Sequence, residues 1–244
     1  MEYKLINEQT IMIYFENHID PRTFQQLQQV EAFIKKQNNP AIIEIVSSYR
    51  AIMLTIDINQ TDLMQITSEL KLDVLNQTKL EDASTQSKIV HIPVLYGGEY
   101  GQDIYEVANH NNISIKDVER IHTETAYLIY MIGFMPGFPF LGGLDSRLHT
   151  PRRKEPRTKI EAGSVGIANN QTGLYPKASP GGWQIIGRTP IKVFDIQRKP
   201  MCLYEAGNAI KFYAIEEETY HHIIDEQQRD DFDIKKWVKI KNEY

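Results

Sequence analysis

The sequence predicts an α+β chain in two parts, a small α/β domain followed by a closed β-structure. Three observations carry that prediction. Residues 10–75 read as strand, helix, strand, strand, helix, enough for one small sheet covered by helices. Residues 76–88 (NQTKLEDASTQSK) are polar and poor in apolar side chains, the composition of a linker. From Ala126 onward come short β-rich segments separated by turns, the pattern of a closed barrel or sandwich. The expected domains are therefore 1–80 and 88–230.

Each element has a local reason. Thr10–Phe15 (TIMIYF) is a partly β-branched apolar run, hence a strand. Asp20-Pro21 reads as a helix start, with Phe24, Leu27, Val30, Phe33 and Ile34 at helical spacing and a stop at Asn38-Asn39-Pro40. Ala41–Val46 and Ala51–Ile58 flank a turn and form a hairpin. Thr61 or Asp62 caps a second helix that presents Leu63, Ile66, Leu70 and Leu75. Past the linker, Ile89–Tyr96 is a strand, and its Pro93 predicts an edge or the end of pairing. Asp103 caps a short helix. Ser114 caps the next, with Asp117 in the capping-box position. Ala126–Phe134, Ser164–Ala168, Gly173–Tyr175, Trp183–Ile186, Ile191–Ile196 and Ala209–Ile215 read as strands, and Glu216–Gln228 as a helix. The charged end, Lys235–Tyr244, is expected on the surface.

Bulk properties narrow the function. The net charge of −5 and pI near 5.8 argue against nucleic acid as a default partner. One cysteine, Cys202, excludes an intrachain disulfide framework and a cysteine-based zinc site. It points to a reducing, cytoplasmic setting. No leader-like start and no long apolar run predict a membrane segment.

The densest local signal runs from Gly133 to Arg188. It holds ten of the fourteen glycines, with Arg152, Arg153, Arg157, Arg188, several lysines and Trp183 among them. Glycine lets a main chain approach a ligand closely, and cations among rigid turns suit an anionic or carbonyl-bearing ligand. The alternative is the tight corners of a small barrel. Within this stretch, Ser179-Pro180-Gly181-Gly182-Trp183 reads either as a backbone anion nest or as a turn with a packed tryptophan. Arg157 or Arg188 can offer a bidentate fork, while Gln171, Thr172 and Tyr175 can hydrogen-bond a neutral amide. His122, at a helix end, is either a structural histidine or an acid–base group. P-loop and Rossmann patterns are absent, Ser164 is not in a nucleophile elbow, and adjacent His221 and His222 do not share one ion on a helix. No metal site is predicted.

Together, GFMPGFPFLGGLD (Gly133–Asp145), TPRRKEPR (Thr150–Arg157), AGSVGIANNQTGLYP (Ala162–Pro176) and SPGGWQIIGRTP (Ser179–Pro190), with HIPVLYGGEYG (His91–Gly101) upstream, resemble the family of 5-oxoprolinase B subunits, also called KipI-like or allophanate hydrolase subunit 1. Two details depart from the pattern: Ile167-Ala168-Asn169-Asn170-Gln171 lacks the glycine common near Asn169 or Asn170, and Phe140 stands where tyrosine is common. The resemblance implies a small α/β domain followed by a cyclophilin-like β-barrel. It implies two partners, the C (KipA-like) and A subunits, which together with the B subunit open 5-oxoproline to glutamate with ATP, and with Mg at the level of the complex. It also includes an inhibitor of a sensor histidine kinase and components of urea- and allophanate-processing assemblies. No biotin attachment site occurs here, which weighs against the last of these.

A lactam amide is unreactive, and phosphorylating its oxygen would assist opening. Such a site needs cations for anionic groups and polar groups for the amide. On the matching motif residues, Arg152, Arg157 and Arg188 are expected to act on anions. Gln171, Thr172, Tyr175, Ser179, Gly181, Gly182 and Trp183 are expected to hold the substrate, with His122 as acid or base.

Overall fold

The structure is a computed structural model that describes residues 1–18, 20–73, 75, 87–229 and 231–242. The chain divides into two compact units, Met1–Thr85 and Gln86–Tyr244. The polar segment expected as a linker lies, from 76 to 86, outside the described residues.

In the first unit, β1 (Glu2–Asn7), β2 (Thr10–Tyr14), β3 (Ile42–Ser47) and β4 (Ala51–Ile56) form an antiparallel sheet in the order β1-β2-β4-β3. Helices α1 (Pro21–Lys36) and α2 (Leu63–Glu69) supply Leu27, Val30, Ile34 and Ile66 to the core with Ile11, Ile13, Ile52, Leu54 and Ile56. Helix α1 starts where the sequence predicts. The Asp20 carboxylate accepts from the Arg22 and Thr23 amides at 2.9 and 3.1 Å, and Pro21 occupies the first turn, where no amide hydrogen is needed. Strand β1 is not foreshadowed in the sequence. Its residues EYKLIN are almost wholly exposed, so they carry no buried alternation to read.

The second unit contains β5 (Lys88–Tyr96), α3 (Ile104–His110), α4 (Ile115–Glu124), β6 (Ala126–Ile132), β7 (Pro139–Gly142), β8 (Arg157–Ile160), β9 (Ser164–Ala168), β10 (Gln171–Leu174), β11 (Ser179–Gly181), β12 (Gln184–Arg188), β13 (Ala209–Ala214), α5 (Glu217–Glu226) and β14 (Lys239–Asn242). Strands β12-β9-β10-β7-β6-β13-β5 pair in that order. The pairs Gly187–Tyr96 and Arg188–Leu95 return β12 to β5 and close a seven-strand barrel. Val90, Ile92, Val94, Ile129, Leu141, Val165, Ile167, Leu174, Ile186, Ile210 and Phe212 are among the buried residues of its core.

Three sequence expectations need correction. Pro93 is not at an edge, because it pairs with Tyr213 in the parallel β5–β13 ladder, but the other expectation, the end of pairing, holds on the opposite side. On the other side of β5, β14 reaches only to His91 and β12 begins at Leu95, so no partner calls for the missing amide hydrogen. Ile191–Ile196 is not a strand. The Arg198 guanidinium takes up the carbonyls of Lys192, Val193, Pro200 and Met201, and backbone pairing in this loop is limited to isolated bonds such as Asp195 to Met201 at 2.8 Å. The tail is not merely surface either. It forms β14 and buries Val238 against the barrel core.

Candidate active site

Strand β10 sorts the expected site residues onto two sides of the barrel wall, because neighbouring side chains in a strand face opposite ways. Leu174 lies in the barrel core, and so does the side of Thr172. Gly173 faces outward, since a Cβ there would meet the Trp183 ring at 2.8 Å. The same alternation places Gln171 and Tyr175 on the outer side. There a second buried cluster forms from Phe138, Ile160, Ala168, Tyr175, Trp183 and Ile185. The two-stranded ribbon β8–β11 contributes Ile160 to it.

Inside the wall, His122 is 0% exposed and stacks on Phe212 with ring centroids 4.9 Å apart. The Thr172 hydroxyl donates to the Gly166 carbonyl at 3.1 Å. Its oxygen therefore accepts from His122 Nε2–H at 2.8 Å, and Nδ1 accepts the Tyr96 hydroxyl at 2.7 Å. This is a neutral imidazole with both nitrogens engaged. Burial pushes its pKa down to about 3. The structure thus brings His122 and Thr172 together with each other, behind the wall from Tyr175 and Trp183.

Outside the wall, Trp183 is 4% exposed and receives Phe138 and Tyr175 edge to face, with centroids 5.9 and 6.2 Å away. The Arg152 guanidinium lies 5.7 Å from the Trp183 ring centroid, and the Arg152 side chain is exposed to solvent. Burial raises the Tyr175 hydroxyl to about 12, slightly offset by the Arg152 charge, so it is a proton donor at neutral pH. The expected anion nest at Gly181-Gly182 does not form, because neither glycine has positive φ. Gly181 pairs with Arg157 in the ribbon, and a Cβ there would stand 2.6 Å from the Tyr175 hydroxyl oxygen. Gly182 uses its carbonyl to accept the Arg153 amide at 2.8 Å. Ser179, half-buried, pairs with Ile160 in the same ribbon.

Arg157 does not offer a free fork. Its Nη1 and Nη2 both donate to the Asp103 carboxylate at 2.8 Å, which holds the guanidinium more firmly protonated than usual. Arg153 Nη1 donates to the same carboxylate at 2.8 Å, and the Ile185 amide donates at 2.7 Å. Arg188 has different neighbours. Its guanidinium sits 5.5 Å from the Tyr100 ring centroid, and its charge acts on the Tyr220 hydroxyl.

The family described as the carboxyltransferase domain, subdomain C and D, matches residues 1–204. The 5-oxoprolinase B subunit of Bacillus subtilis is 39% identical over 224 residues, spanning 88% of this chain and 93% of that protein. The 5-oxoprolinase B subunit of Haemophilus influenzae is 40% identical over 195 residues, spanning 79% of this chain and 89% of that protein. The chain belongs to the family of 5-oxoprolinase B subunits. The urea carboxylase of Kluyveromyces lactis shares the fold, with a TM-score of 0.78 over 99% of this chain and 24% of that one at 19% identity.

In this member of the 5-oxoprolinase B-subunit family, Asp103 is the site residue that the sequence conceals. Its place before a short helix marks it as a cap, and it does occupy the N-cap position of α3, yet its side chain makes no capping bond. A lone carboxylate 50 residues from Arg153 gives no local signal, and the pairing appears only once α3 packs against β12. Arg153 stands out in the sequence only as part of the basic cluster. Among the described residues, no group of three or more His, Cys, Asp or Glu side chains could hold a metal ion.

Proposed function

We propose that this chain is the B subunit of an ATP-dependent 5-oxoprolinase, which with the A and C subunits opens 5-oxo-L-proline to L-glutamate as ATP is hydrolysed. The observation that carries this reading is 39% identity across 93% of the Bacillus subtilis relative. The local chemistry supports it. 5-Oxoproline joins a carboxylate to a lactam, so it calls for one cation and several neutral hydrogen-bonding groups. Arg152 meets the carboxylate, supported by the Trp183 ring beneath it. Ser179 and Gln171 face the lactam, while Tyr175, 2% exposed and packed against Gly181, supports them from within the aromatic cluster. Arg157 shapes the site through Asp103, and Gly181 and Gly182 shape it by leaving room. His122 and Thr172 brace the wall from within. Arg188 lies with Tyr100 and Tyr220 and serves contacts to anionic groups from that side. The nucleotide, with Mg, belongs to the complex.

The test is reconstitution. The purified chain, mixed with the A and C subunits, ATP and 5-oxoproline, should release glutamate and ADP, and leaving this chain out should abolish release. If the complete mixture is silent and the Bacillus subtilis B subunit restores glutamate, the reading is wrong. Arg152→Ala should raise the KM for 5-oxoproline about tenfold or more, the cost of one charged hydrogen bond.

A further inference from the structure

We propose that Asp103 is a positioning residue that fixes Arg152 over Trp183, and so sets the one guanidinium of the 152–157 segment that is left open to an anion; the anion's identity as 5-oxoproline rests on the function proposed above. The carboxylate is almost fully buried, with its side chain 3% exposed, and it accepts four hydrogen bonds of 2.7–2.8 Å. Its backbone is tied as well, since the Asp103 amide donates to the Ile185 carbonyl at 2.8 Å. An aspartate at an N-cap ordinarily bonds the first helical amides. Here α3 forgoes that bond, and the carboxylate serves the arginines instead.

The consequence for Arg152 follows along the backbone. Thr150 and Asn169 exchange amide–carbonyl bonds of 3.1 and 2.7 Å. The Pro151 carbonyl accepts from Gln184 Nε2 at 3.0 Å. Arg153 is held by its amide to Gly182 and by its guanidinium to Asp103. Arg152 therefore sits between two pinned neighbours. Arg157 spends both Nη groups and Arg153 its Nη1 on Asp103, while Arg152 forms no ion pair among the described residues and points to solvent. A guanidinium held in place before the ligand arrives loses less freedom on binding.

The test uses a Trp237→Phe background, which leaves Trp183 as the single tryptophan of the two in the chain. Iodide and neutral acrylamide quenching of Trp183 are compared. A unit positive charge 5.7 Å from the ring enriches iodide about threefold by Coulomb attraction in water. Arg152→Ala should therefore lower the iodide-to-acrylamide ratio about threefold. Asp103→Asn should reproduce that fall, and the double variant should fall no further. A purely structural carboxylate would leave the ratio unchanged or raise it, because Asn removes a negative charge that repels iodide. Should Asp103→Asn fail to fold, Arg153→Gln removes one tie and one charge, while Lys154→Gln removes one charge from the same segment; Arg153→Gln should lower the ratio more than Lys154→Gln does. A wild-type or raised ratio in folded Asp103→Asn, equal falls in Arg153→Gln and Lys154→Gln, or no change in Arg152→Ala, overturns the proposal.

In the reconstituted complex, Asp103→Asn and Arg152→Ala should each raise the KM for 5-oxoproline about tenfold, with the double variant no worse than either. Additive losses there would also overturn the proposal. A silent wild-type complex that the Bacillus subtilis B subunit restores would instead defeat the functional reading and leave the quenching result to stand by itself.

Discussion

The neutral His122 makes the barrel sensitive to acid in a defined window. Its folded value is about 3, against an ordinary 6.5 in the unfolded chain. Between those values the unfolded chain binds a proton that the folded chain refuses. Stability contributed by the neutral imidazole is thus complete above pH 6.5 and is lost as pH falls toward 3, at up to about 1.4 kcal/mol per pH unit. His122→Gln keeps an amide donor for Thr172 and cannot titrate in this range. It should be less stable than wild type at pH 7, with a shallower loss between about pH 6.5 and 5, where few carboxylates titrate. Urea unfolding at about pH 7, 6 and 5 measures this, and parallel slopes for the two proteins would refute it. At this scale the sequence is partly legible. Arg152 and Trp183 stand in one glycine-rich stretch and do meet, whereas the His122–Thr172 pair depends on α4 packing its buried face against the closed barrel and leaves no local trace.

Elements meet at close range around β12. A Cβ at Gly101 would lie 2.1 Å from the Ile186 carbonyl oxygen and 2.5 Å from the Gly97 amide nitrogen, both backbone atoms that cannot swing aside. At Gly98, which has φ of +54°, nothing lies within 4 Å. Gly101→Ala should therefore cost about 3 kcal/mol or more, and Gly98→Ala only about 1 kcal/mol, the ordinary strain of a left-handed residue. Denaturant midpoints compare the two variants, and equal losses would contradict the packing described. The sequence shows the GGEYG cluster only as a turn. Elements with buried periodicity, such as α1 and α4, are visible because one face repeats. The strands β1 and β14 are not: β1 is almost wholly exposed and shows no buried alternation, and the pairing of β14 is decided by the distant strand β5. The run Ile191–Ile196 misleads in the opposite sense. It has strand composition, but its carbonyls are claimed by Arg198.

For the whole molecule, the separate cores of the two units predict separate folding. A chain beginning at Ser87 should unfold in one cooperative transition and retain the near-ultraviolet signal of its buried aromatics. Loss of that signal in the fragment would mean that the barrel needs the preceding unit. No helix among the described residues is long and apolar enough to cross a membrane.

Adjacent residues of β10 divide two jobs that many proteins must balance in one place. Thr172 looks inward and answers to the fit of the interior, while Gln171 looks outward and answers to whatever the surface meets. Changes in ligand preference can then accumulate on the rind of this barrel while its pith stays as it is, because a single peptide link keeps the two selections apart.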